Sequence, residues 1–431
     1  MQPVRAFPMP SLYPGLDFGT TNSTLALAPA LGTAGGAPRL LPVEGTHGTI
    51  PSALFFSLED GRTYFGRQAV FEYVDGAEGR FMRALKSILG TSLMKETTQV
   101  GRERLSFTQL IGRFLQNLTV KLEAELGEIP PSIVLGRPVH FIDEDEAADR
   151  TAEDQLAEAA KAQGFRHVEF QYEPVAAALY FEAQVSAESL ALVVDIGGGT
   201  SDFSLLRLSP ERAKRSDRRD DILASTGVHV GGTDFDRQLS IAEIMPEFGL
   251  GTMTADGKRH LPVWYFNDMA TWHRVNFLYT QKNLRDVEAL RKEAAEPARL
   301  ARFETLLKHR SGHRLAGAVE AAKIALTHEE SAVVDLKEPG FHLRHPVTRA
   351  GFEAATSDLV ARIGASLDEA LAVAGVEADE VDLVILTGGS TAIPAVQTAV
   401  RSRFGAARIA QADAFGAVGL GLAVDAARRF S

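Results

Sequence analysis

Cysteine is absent from the 431-residue sequence, which excludes disulfides, thiolate metal sites and cysteine nucleophiles. A chain without disulfides suits the reducing cytoplasm, and that is the compartment we expect. No apolar run is long enough to span a membrane, and prolines interrupt the N-terminal segment, so neither a signal peptide nor a membrane helix is predicted. An excess of basic residues is also missing. Because the formal net charge is −11, we expect no nucleic-acid or anionic-membrane partner.

The rest of the composition is that of an ordinary globular protein, with 45% hydrophobic and 23% charged residues. A chain of this length exceeds a usual single domain, which favours two domains or one bilobed fold. Strand and helix patterns alternate in the first part of the chain, as in an α/β protein. The basic cluster at 214–219 is interrupted by acidic residues, so we predict a solvated loop there.

Two glycine-rich acidic turns are near-copies of each other. The first is Asp17-Phe18-Gly19-Thr20-Thr21-Asn22-Ser23, and the second is Asp195-Ile196-Gly197-Gly198-Gly199-Thr200-Ser201-Asp202. Each lies between two apolar runs, which predicts strand, tight turn and strand, with glycines that let the backbone approach an anion. Such residues also make ordinary tight turns, and a single hairpin would be interpreted in that way. Two matched hairpins indicate related lobes that grip a phosphate tail from both sides.

The residue types in these turns suit a nucleotide phosphate and its metal ion. Backbone N–H groups of glycine-rich turns form anion-binding nests, and the neighbouring threonine and serine hydroxyls can donate to phosphate oxygens. The carboxylates of Asp17, Asp195 and Asp202 can hold Mg²⁺, which keeps several waters and is reached through one or two carboxylates. A third glycine turn, Thr387-Gly388-Gly389-Ser390, strengthens this interpretation.

These motifs resemble the actin, hexokinase and heat-shock-chaperone ATPase superfamily, and specifically its heat-shock protein 70 (DnaK) branch. The two hairpins are similar to the first and second phosphate motifs of that branch, and residues 386–394 are similar to its adenosine motif. Residues 172–178 resemble its connecting helix, and residues 227–236 resemble the glycine segment after the second hairpin. Residues 413–423 and 170–177 look closer still to the YegD-like subgroup.

The resemblance implies a bilobed α/β fold of the actin-like ATPase type. It consists of two ribonuclease-H-like mixed sheets flanked by helices, with ATP or ADP and Mg²⁺ in the cleft between them. Lobe I is then 11–186 plus 408–431, and lobe II is 187–407, with a divergent helical and aromatic insertion at about 241–314. The chain stops at Ser431, directly after the closing helix of the ATPase part, so we expect no peptide-binding domain. The participation of K⁺ beside Mg²⁺ stays open.

By motif match, the resemblance assigns three carboxylates to the phosphate end of the cleft. Asp17 and Asp195 would hold Mg²⁺ mainly through water, and Asp202 with Thr200 would lie beside the γ-phosphate. The nucleotide contacts that the same motifs imply are Gly19, Thr20, Thr21, Asn22, Gly197, Gly198, Gly199, Thr200, Gly231, Gly232, Glu320, Lys323, Gly388, Gly389, Ser390 and Ile393.

Two further catalytic roles are implied by the resemblance. Glu173 would position the attacking water; its alternative role is to cap the helix that begins at Pro174, and one residue can do both. Lys86, in a Lys-x-x-x-Gly context, aligns with the lysine of the family that neutralises transition-state charge. A lone lysine on a helix is more often a solvated surface residue, and that alternative stays open.

The adenosine end departs from the pattern of the family. The family usually has an arginine after the equivalent of Lys323 and another in the third glycine motif, but Ile324 and Ala392 occupy those positions here. Losing two planar cations that stack on adenine should weaken or reshape base recognition. Glu320 and Lys323 are also spaced as an ordinary helical ion pair.

Three functions follow, in order of preference. The first is a slow, Mg²⁺-dependent ATP hydrolase of the heat-shock-70 type. The second is an ATP-sensing regulatory or co-chaperone module with little hydrolysis, in which the aromatic segment 264–272 contacts an unknown protein partner. The third is a small-molecule kinase of the same superfamily with Asp202 as base, against which the segment 173–177 argues.

Overall fold

The computed structural model describes residues 12–30, 36–142, 145–182, 185–215, 217–272, 274–405, 407–411 and 416–431. Residue 216 of the basic cluster and residues 413–415 of the YegD-like ending lie outside these ranges. The helices are α1 (Gly66–Asp75), α2 (Phe107–Leu126), α3 (Glu146–Lys161), α4 (Glu173–Glu182), α5 (Gly232–Leu239), α6 (Trp264–Met269), α7 (Gln281–Glu293), α8 (Pro297–Lys308), α9 (Gly312–Ala325), α10 (Arg349–Ala374), α11 (Pro394–Arg403) and α12 (Ala417–Phe430).

The strands are β1 (Leu12–Phe18), β2 (Asn22–Pro29), β3 (Arg39–Leu40), β4 (Thr49–Pro51), β5 (Ala53–Ser57), β6 (Thr63–Phe65), β7 (Gly79–Arg83), β8 (Thr97–Val100), β9 (Glu103–Ser106), β10 (Ser132–Arg137), β11 (His167–Tyr172), β12 (Ser189–Ile196), β13 (Ser201–Leu208), β14 (Ile222–Val228), β15 (Ser331–Glu338), β16 (Phe341–Thr348), β17 (Leu383–Thr387) and β18 (Arg408–Gln411).

Two mixed sheets repeat one arrangement. In the first sheet, of order β11-β10-β1-β2-β3, strand β1 is antiparallel to β2 and parallel to β10. In the second sheet, of order β14-β13-β12-β17-β18, strand β12 is antiparallel to β13 and parallel to β17. Each sheet thus places an acidic hairpin beside a parallel strand, and helices flank both sheets. The predicted fold class, with two mixed sheets, is confirmed.

Helix α2 shows how local sequence sets an element of the first lobe. Ser106 caps its first turn by accepting a hydrogen bond from the backbone N–H of Gln109 at 3.2 Å. Its apolar residues recur every three or four positions, so one stripe faces the core. Gly127 ends the helix at a φ of 82°, a left-handed conformation that glycine adopts without strain.

The two lobes share an apolar core around helices α4 and α12. This core contains Tyr13 and Ala26 of the first sheet together with Val193 and Ile385 of the second. The two helices cross very closely, since a Cβ atom at Gly421 would lie only 1.8 Å from the carbonyl oxygen of Ala176.

Strand β18 corrects the predicted lobe boundary. Residues 408–411 were assigned to lobe I with the C-terminal helix, but β18 pairs in parallel with β17 and belongs to the second sheet. Helix α12, by contrast, packs against β1, β2 and β10 of the first sheet, as its assignment to lobe I predicts. The return to the first lobe therefore comes after residue 411.

The basic cluster at 214–219 is not wholly solvated, which corrects that prediction. The guanidinium of Arg218 is completely buried and donates to both carboxylate oxygens of Glu182, at 2.7 and 2.9 Å, and to Asp221. A buried cation is tolerable because two carboxylates satisfy it. The loop is thus anchored to the C-terminal end of α4.

The segment 241–314 is built mainly of helices and belongs largely to the core of the second lobe. Tyr265 and Phe266 of α6 are buried, and the ring centroid of Phe266 lies 5.1 Å from that of Phe303 on α8. Trp264 is 43% exposed. Most of the aromatic stretch is therefore packing rather than a free surface for a partner. Within the described residues, no helix has the length and apolar character needed to cross a membrane.

Candidate functional site

The two acidic hairpins meet at their turns. A Cβ atom at Gly198 would lie 2.7 Å from the Oγ1 atom of Thr21, so the turns of the two sheets face each other at contact distance. Ser52 holds the first turn, because its hydroxyl donates to the carbonyl oxygen of Gly19 at 2.6 Å. The second turn is closed by a hydrogen bond from the N–H of Gly197 to the carbonyl oxygen of Thr200 at 3.0 Å. The turns therefore lie where the two lobes meet, and the cleft that the resemblance implies would open beside them.

The glycine pair before α5 packs directly on the second turn. The N–H of Gly232 donates to the carbonyl oxygen of Gly197 at 2.9 Å, and the N–H of Thr233 donates to that of Gly198 at 2.8 Å. A Cβ atom at Gly231 would lie 2.4 Å from the backbone nitrogen of Gly199, so a side chain at residue 231 would collide with the turn. This contact explains why residue 231 is a glycine.

The third glycine turn lies against the carboxylate of the second hairpin. Gly388 has a φ of 80°, and a Cβ atom there would lie 2.6 Å from Oδ1 of Asp195. The hydroxyl of Ser390 donates to the carbonyl oxygen of Gly197 at 3.2 Å. Gly389 continues the turn at the same edge of the cleft. The three glycine motifs, far apart in sequence, therefore meet at one place.

A buried ion pair lies between the predicted catalytic carboxylates. Lys86 Nζ donates to Oε1 of Glu173, and the lysine side chain is only 7% exposed, so the alternative of a solvated surface lysine is wrong. Glu173 is the first residue of α4. Gly136 at the end of β10 leaves room for both acids, since its Cβ would lie 3.2 Å from Cγ of Glu173 and 3.5 Å from Oδ1 of Asp17.

The carboxylates of this site are held in an unfavourable environment for negative charge. Burial and the neighbouring Glu173 raise the pKa of Asp17 to about 7, although Lys86 opposes the shift. Burial, Asp202, Glu173 and Asp17 raise the pKa of Asp195 to about 8. Burial acts to lower the pKa of Lys86, but the surrounding carboxylates more than offset it and the pKa is raised. The site thus carries more acid groups than one lysine can neutralise.

Asp202 faces Asp195 across the second hairpin. The two residues are paired in the antiparallel register of β12 and β13. Thr200 donates its hydroxyl to Oδ2 of Asp202 at 2.9 Å. Burial still raises the pKa of Asp202, with Glu173 adding to the shift, and the Thr200 bond, Lys86 and His229 oppose it. A proton or a cation brought to this end of the cleft would relieve the repulsion between the two acids.

The residues present fit a divalent cation held mainly through water and phosphate. Oδ1 of Asp17 is buried and has no hydrogen-bond partner, although a buried carboxylate oxygen normally has one. Across the described ranges, no group of three or more potential ligand side chains is arranged to hold a metal directly. Mg²⁺ matches this pattern, since it keeps several waters and takes one or two carboxylates together with substrate phosphates. Asp17 and Asp195 are the residues that would hold it.

A match to a protein-family model identifies the family of this chain. The model described as "Hsp70 protein" matches residues 90–252 and 294–428, which is more than half of the chain. The chain belongs to the Hsp70 family. The matched ranges contain the second hairpin, Glu173 and the third glycine turn, whereas the first hairpin and Lys86 precede them. Hsp70 proteins are ATP-binding proteins of chaperone type and are generally ATPases that use Mg²⁺, and the observed α/β architecture is consistent with their actin-like fold.

Two residues assigned to the adenosine end, Lys323 and Ile393, are buried in this Hsp70 family member. Lys323 is buried and its Nζ lies 2.9 Å from Oδ1 of Asp236 on α5, so its ion-pair partner is not the helical neighbour Glu320. Glu320 is exposed on α9. Ile393 is 1% exposed and its side chain packs in the apolar core of the second lobe, so its assignment as a nucleotide contact stays a prediction and would concern its backbone. Ile324, where the family usually has arginine, is 55% exposed.

Two contributors to the site were not singled out from the sequence. Gly136 lies under Asp17 and Glu173, and Asp236 holds Lys323. Asp236 is the last residue of the glycine segment 227–236, but its partner Lys323 is 87 residues away and no local pattern connects the two. Gly136 could have been singled out from the sequence, because it is a glycine near the end of a short buried strand. A glycine in such a position often marks a close approach of other groups.

Proposed function

We propose that this Hsp70 family member binds ATP with Mg²⁺ in the cleft between its lobes and hydrolyses it slowly, and that it belongs to the YegD-like subgroup. One observation carries the proposal: the two glycine turns face each other, with the Lys86–Glu173 ion pair and the partnerless carboxylate oxygen of Asp17 beside them. A triphosphate between the turns would meet backbone donors from both lobes and a cation close to the carboxylates.

Each group in the site has a role that follows from its chemistry. Glu173, held by Lys86, would accept a hydrogen bond from water and orient it towards the γ-phosphorus, and Lys86 would stabilise the charge that spreads over the phosphoryl oxygens. Thr200 and Asp202 lie at the same end and would orient the phosphoryl group. Mg²⁺, when bound, would neutralise the phosphate charge, and Asp17 and Asp195 would hold it mainly through water.

A calorimetric titration followed by a phosphate-release assay on the same sample tests this proposal. ATP and ADP with Mg²⁺ should bind, and inorganic phosphate should then appear slowly with ATP. Binding without phosphate release would favour the regulatory module instead. The absence of binding would overturn the proposal, and a phosphorylated product from a panel of metabolites would indicate a kinase.

Replacing Glu173 by glutamine should reduce phosphate release by about 100-fold or more, because an amide cannot accept the proton of the attacking water. ATP affinity should change by less than about threefold, since Glu173 is assigned to water rather than to the nucleotide. Glu169→Gln is the matched control. This exposed carboxylate lies on β11, four residues before Glu173, and pairs with Arg429. Equal phosphate release from Glu173→Gln and the wild type would contradict the assigned role.

Restoring the arginine of the family at Ile324 should tighten ATP binding by about three- to tenfold, because a guanidinium can stack on the adenine ring. The position has room for a longer side chain, since Ile324 is 55% exposed. The measurement is the Kd of ATP compared with that of inorganic triphosphate, which lacks the base. An equal gain for both ligands would show a general charge effect and contradict stacking on the base. Val333→Arg, at another exposed apolar residue of the same lobe, is the control.

A further inference from the structure

Five side chains outside the phosphate site connect the two lobes. Tyr73 of α1 and Arg83 of β7 come from the first lobe, and Trp272, Asn276 and His313 come from the second. We call them the cross-lobe cluster. None of the proposed catalytic steps uses them, so their arrangement needs a separate explanation.

His313 is the centre of the cross-lobe cluster. Its Nε2 atom lies 3.0 Å from the carbonyl oxygen of Trp272 and 3.2 Å from the hydroxyl oxygen of Tyr73, which also accepts a hydrogen bond from Asn276. Its ring centroid lies 4.5 Å from that of Tyr73 and 4.7 Å from that of Trp272. One imidazole at the end of α9 therefore contacts both lobes, by hydrogen bonds and by ring packing.

The surroundings of His313 favour the neutral ring. The side chain is nearly inaccessible, at 3% exposure for the residue, and the guanidinium of Arg83 lies 5.2 Å from the Trp272 ring that packs against it. Tyr73 faces the imidazole from α1, and Tyr279 lies behind it, with its hydroxyl 2.9 Å from the N–H of Gly312. Burial lowers the pKa of His313 to about 4; the hydrogen bond to the carbonyl oxygen of Trp272 opposes this shift, and Arg83 adds to it.

Helix α9 links the cross-lobe cluster to the nucleotide end of the cleft. His313 lies in its first turn, and Glu320 and Lys323 lie two and three turns further along. Arg314, the charged neighbour of His313 on α9, pairs with Glu338 of β15 at 2.8 Å, and Glu320 attracts Arg83 from across the cleft. A change at His313 would therefore act on the same rigid helix that carries the predicted adenosine contacts.

We infer that His313 is a pH-dependent latch between the lobes: the neutral imidazole holds the cleft shut, and protonation opens it and releases the nucleotide. The release of nucleotide rests on the proposed function. The opening itself does not, because the cross-lobe cluster contains none of the residues assigned to the nucleotide.

The sign and size of the effect follow from the two states of the histidine. In an open cleft His313 would have the ordinary pKa of about 6.5. Above that pH the ring is neutral in both states and the latch is closed. As the pH falls below 6.5 the open state takes up a proton before the closed state does, so the equilibrium shifts towards opening. At about pH 5.5 the shift is about tenfold.

The first test needs no nucleotide. The sequence has two tryptophans, so the variant Trp264→Phe leaves Trp272 as the sole reporter. Quenching of its fluorescence by acrylamide should increase between about pH 7.5 and pH 5.5, because opening exposes the ring. Adding His313→Gln, which keeps a donor for the carbonyl oxygen of Trp272 but does not titrate, should remove the pH dependence. Equal accessibility at both pH values, or an equal increase with glutamine present, would overturn the latch.

The second test measures release of a fluorescent ATP analogue by stopped flow. The wild type should release it about tenfold faster at pH 5.5 than at pH 7.5, and His313→Gln less than twofold faster. Because Asp17 and Asp195 also titrate, only the difference between the two proteins is attributed to His313. Tyr73→Phe, which removes one cross-lobe hydrogen bond, should speed release at both pH values and keep the pH response. Failure of the analogue to bind would contradict the proposed function, while the quenching result would still decide the latch.

Discussion

Asp195→Asn is expected to reduce phosphate release by at least about 100-fold and, in the ligand-free protein at pH 8, to raise the Tm by several degrees. Both effects have one cause. The carboxylate is held half-buried beside Asp202, Glu173 and Asp17, where its charge is useful with Mg²⁺ and phosphate bound but is costly without them. An amide of the same shape carries no charge. The variant therefore loses the interaction with Mg²⁺, and it also loses the electrostatic repulsion that destabilises the fold.

The pH dependence of this gain follows from the raised pKa. Folding moves the pKa of Asp195 from its ordinary value near 3.8 to about 8, so the folded state binds the proton more tightly. The associated stability is complete below the ordinary pKa and is lost as the pH rises through the folded value. At pH 8 the free energy of unfolding of the wild type should therefore be about 3 kcal/mol lower than that of the asparagine variant. Each pKa unit is worth about 1.4 kcal/mol, and only part of the shift is counted because neighbouring acids share it.

Thermal unfolding at pH 5 and pH 8, with and without Mg²⁺-ATP, measures this prediction. The advantage of Asp195→Asn should be large at pH 8 without ligand, smaller at pH 5, and absent or reversed with Mg²⁺-ATP, which binds the wild type better. Asp335→Asn is the control with the opposite sign, because His342 holds the pKa of this exposed carboxyl below its usual value. A lower Tm for Asp195→Asn at pH 8 would show that the carboxylate supports the fold, contrary to the expectation.

The two acidic hairpins could be predicted from sequence because their signals are local. Each hairpin carries its acid, glycines and hydroxyls within eight consecutive residues, and strand pairing then fixes their positions. The Lys86–Glu173 pair could not be predicted from a local pattern, because the two residues are 87 positions apart. Only the resemblance to a known family connected them. The burial of Lys86 excludes a solvated surface lysine, and burial cannot be seen in a short stretch of sequence.

The regions that could not be predicted depend on distant partners. Arg218 belongs to a basic run that is typical of a solvated loop, but it is buried because its salt bridges with Glu182 and Asp221 offset the loss of hydration. The aromatic stretch at 264–272 has no clear periodicity because its packing partners, among them Phe303, come from later helices. Strand β18 is four residues long and is defined by its pairing with β17 rather than by its own pattern.

The crossing of α4 and α12 sets how tightly the two lobes are joined, and its closeness depends on one missing side chain. A Cβ atom at Gly421 would lie 1.8 Å from the carbonyl oxygen of Ala176 and 2.5 Å from its carbonyl carbon. Both are backbone atoms of α4, so no rotamer change can relieve the collision. The helices would have to separate, and the shared core that contains Leu422 and Ile385 would open with them.

Gly421→Ala should therefore cost about 3 kcal/mol or more, because overpacking against fixed backbone is at the upper end of the range for core substitutions. The measurement is the free energy of unfolding by urea, together with the yield of soluble protein. Gly317→Ala is the matched control: it is the same change inside a helix, but a Cβ atom there meets nothing within 4 Å. The control should gain up to about 1 kcal/mol, because alanine is the better helix former. Equal stabilities for the two variants would contradict the close crossing.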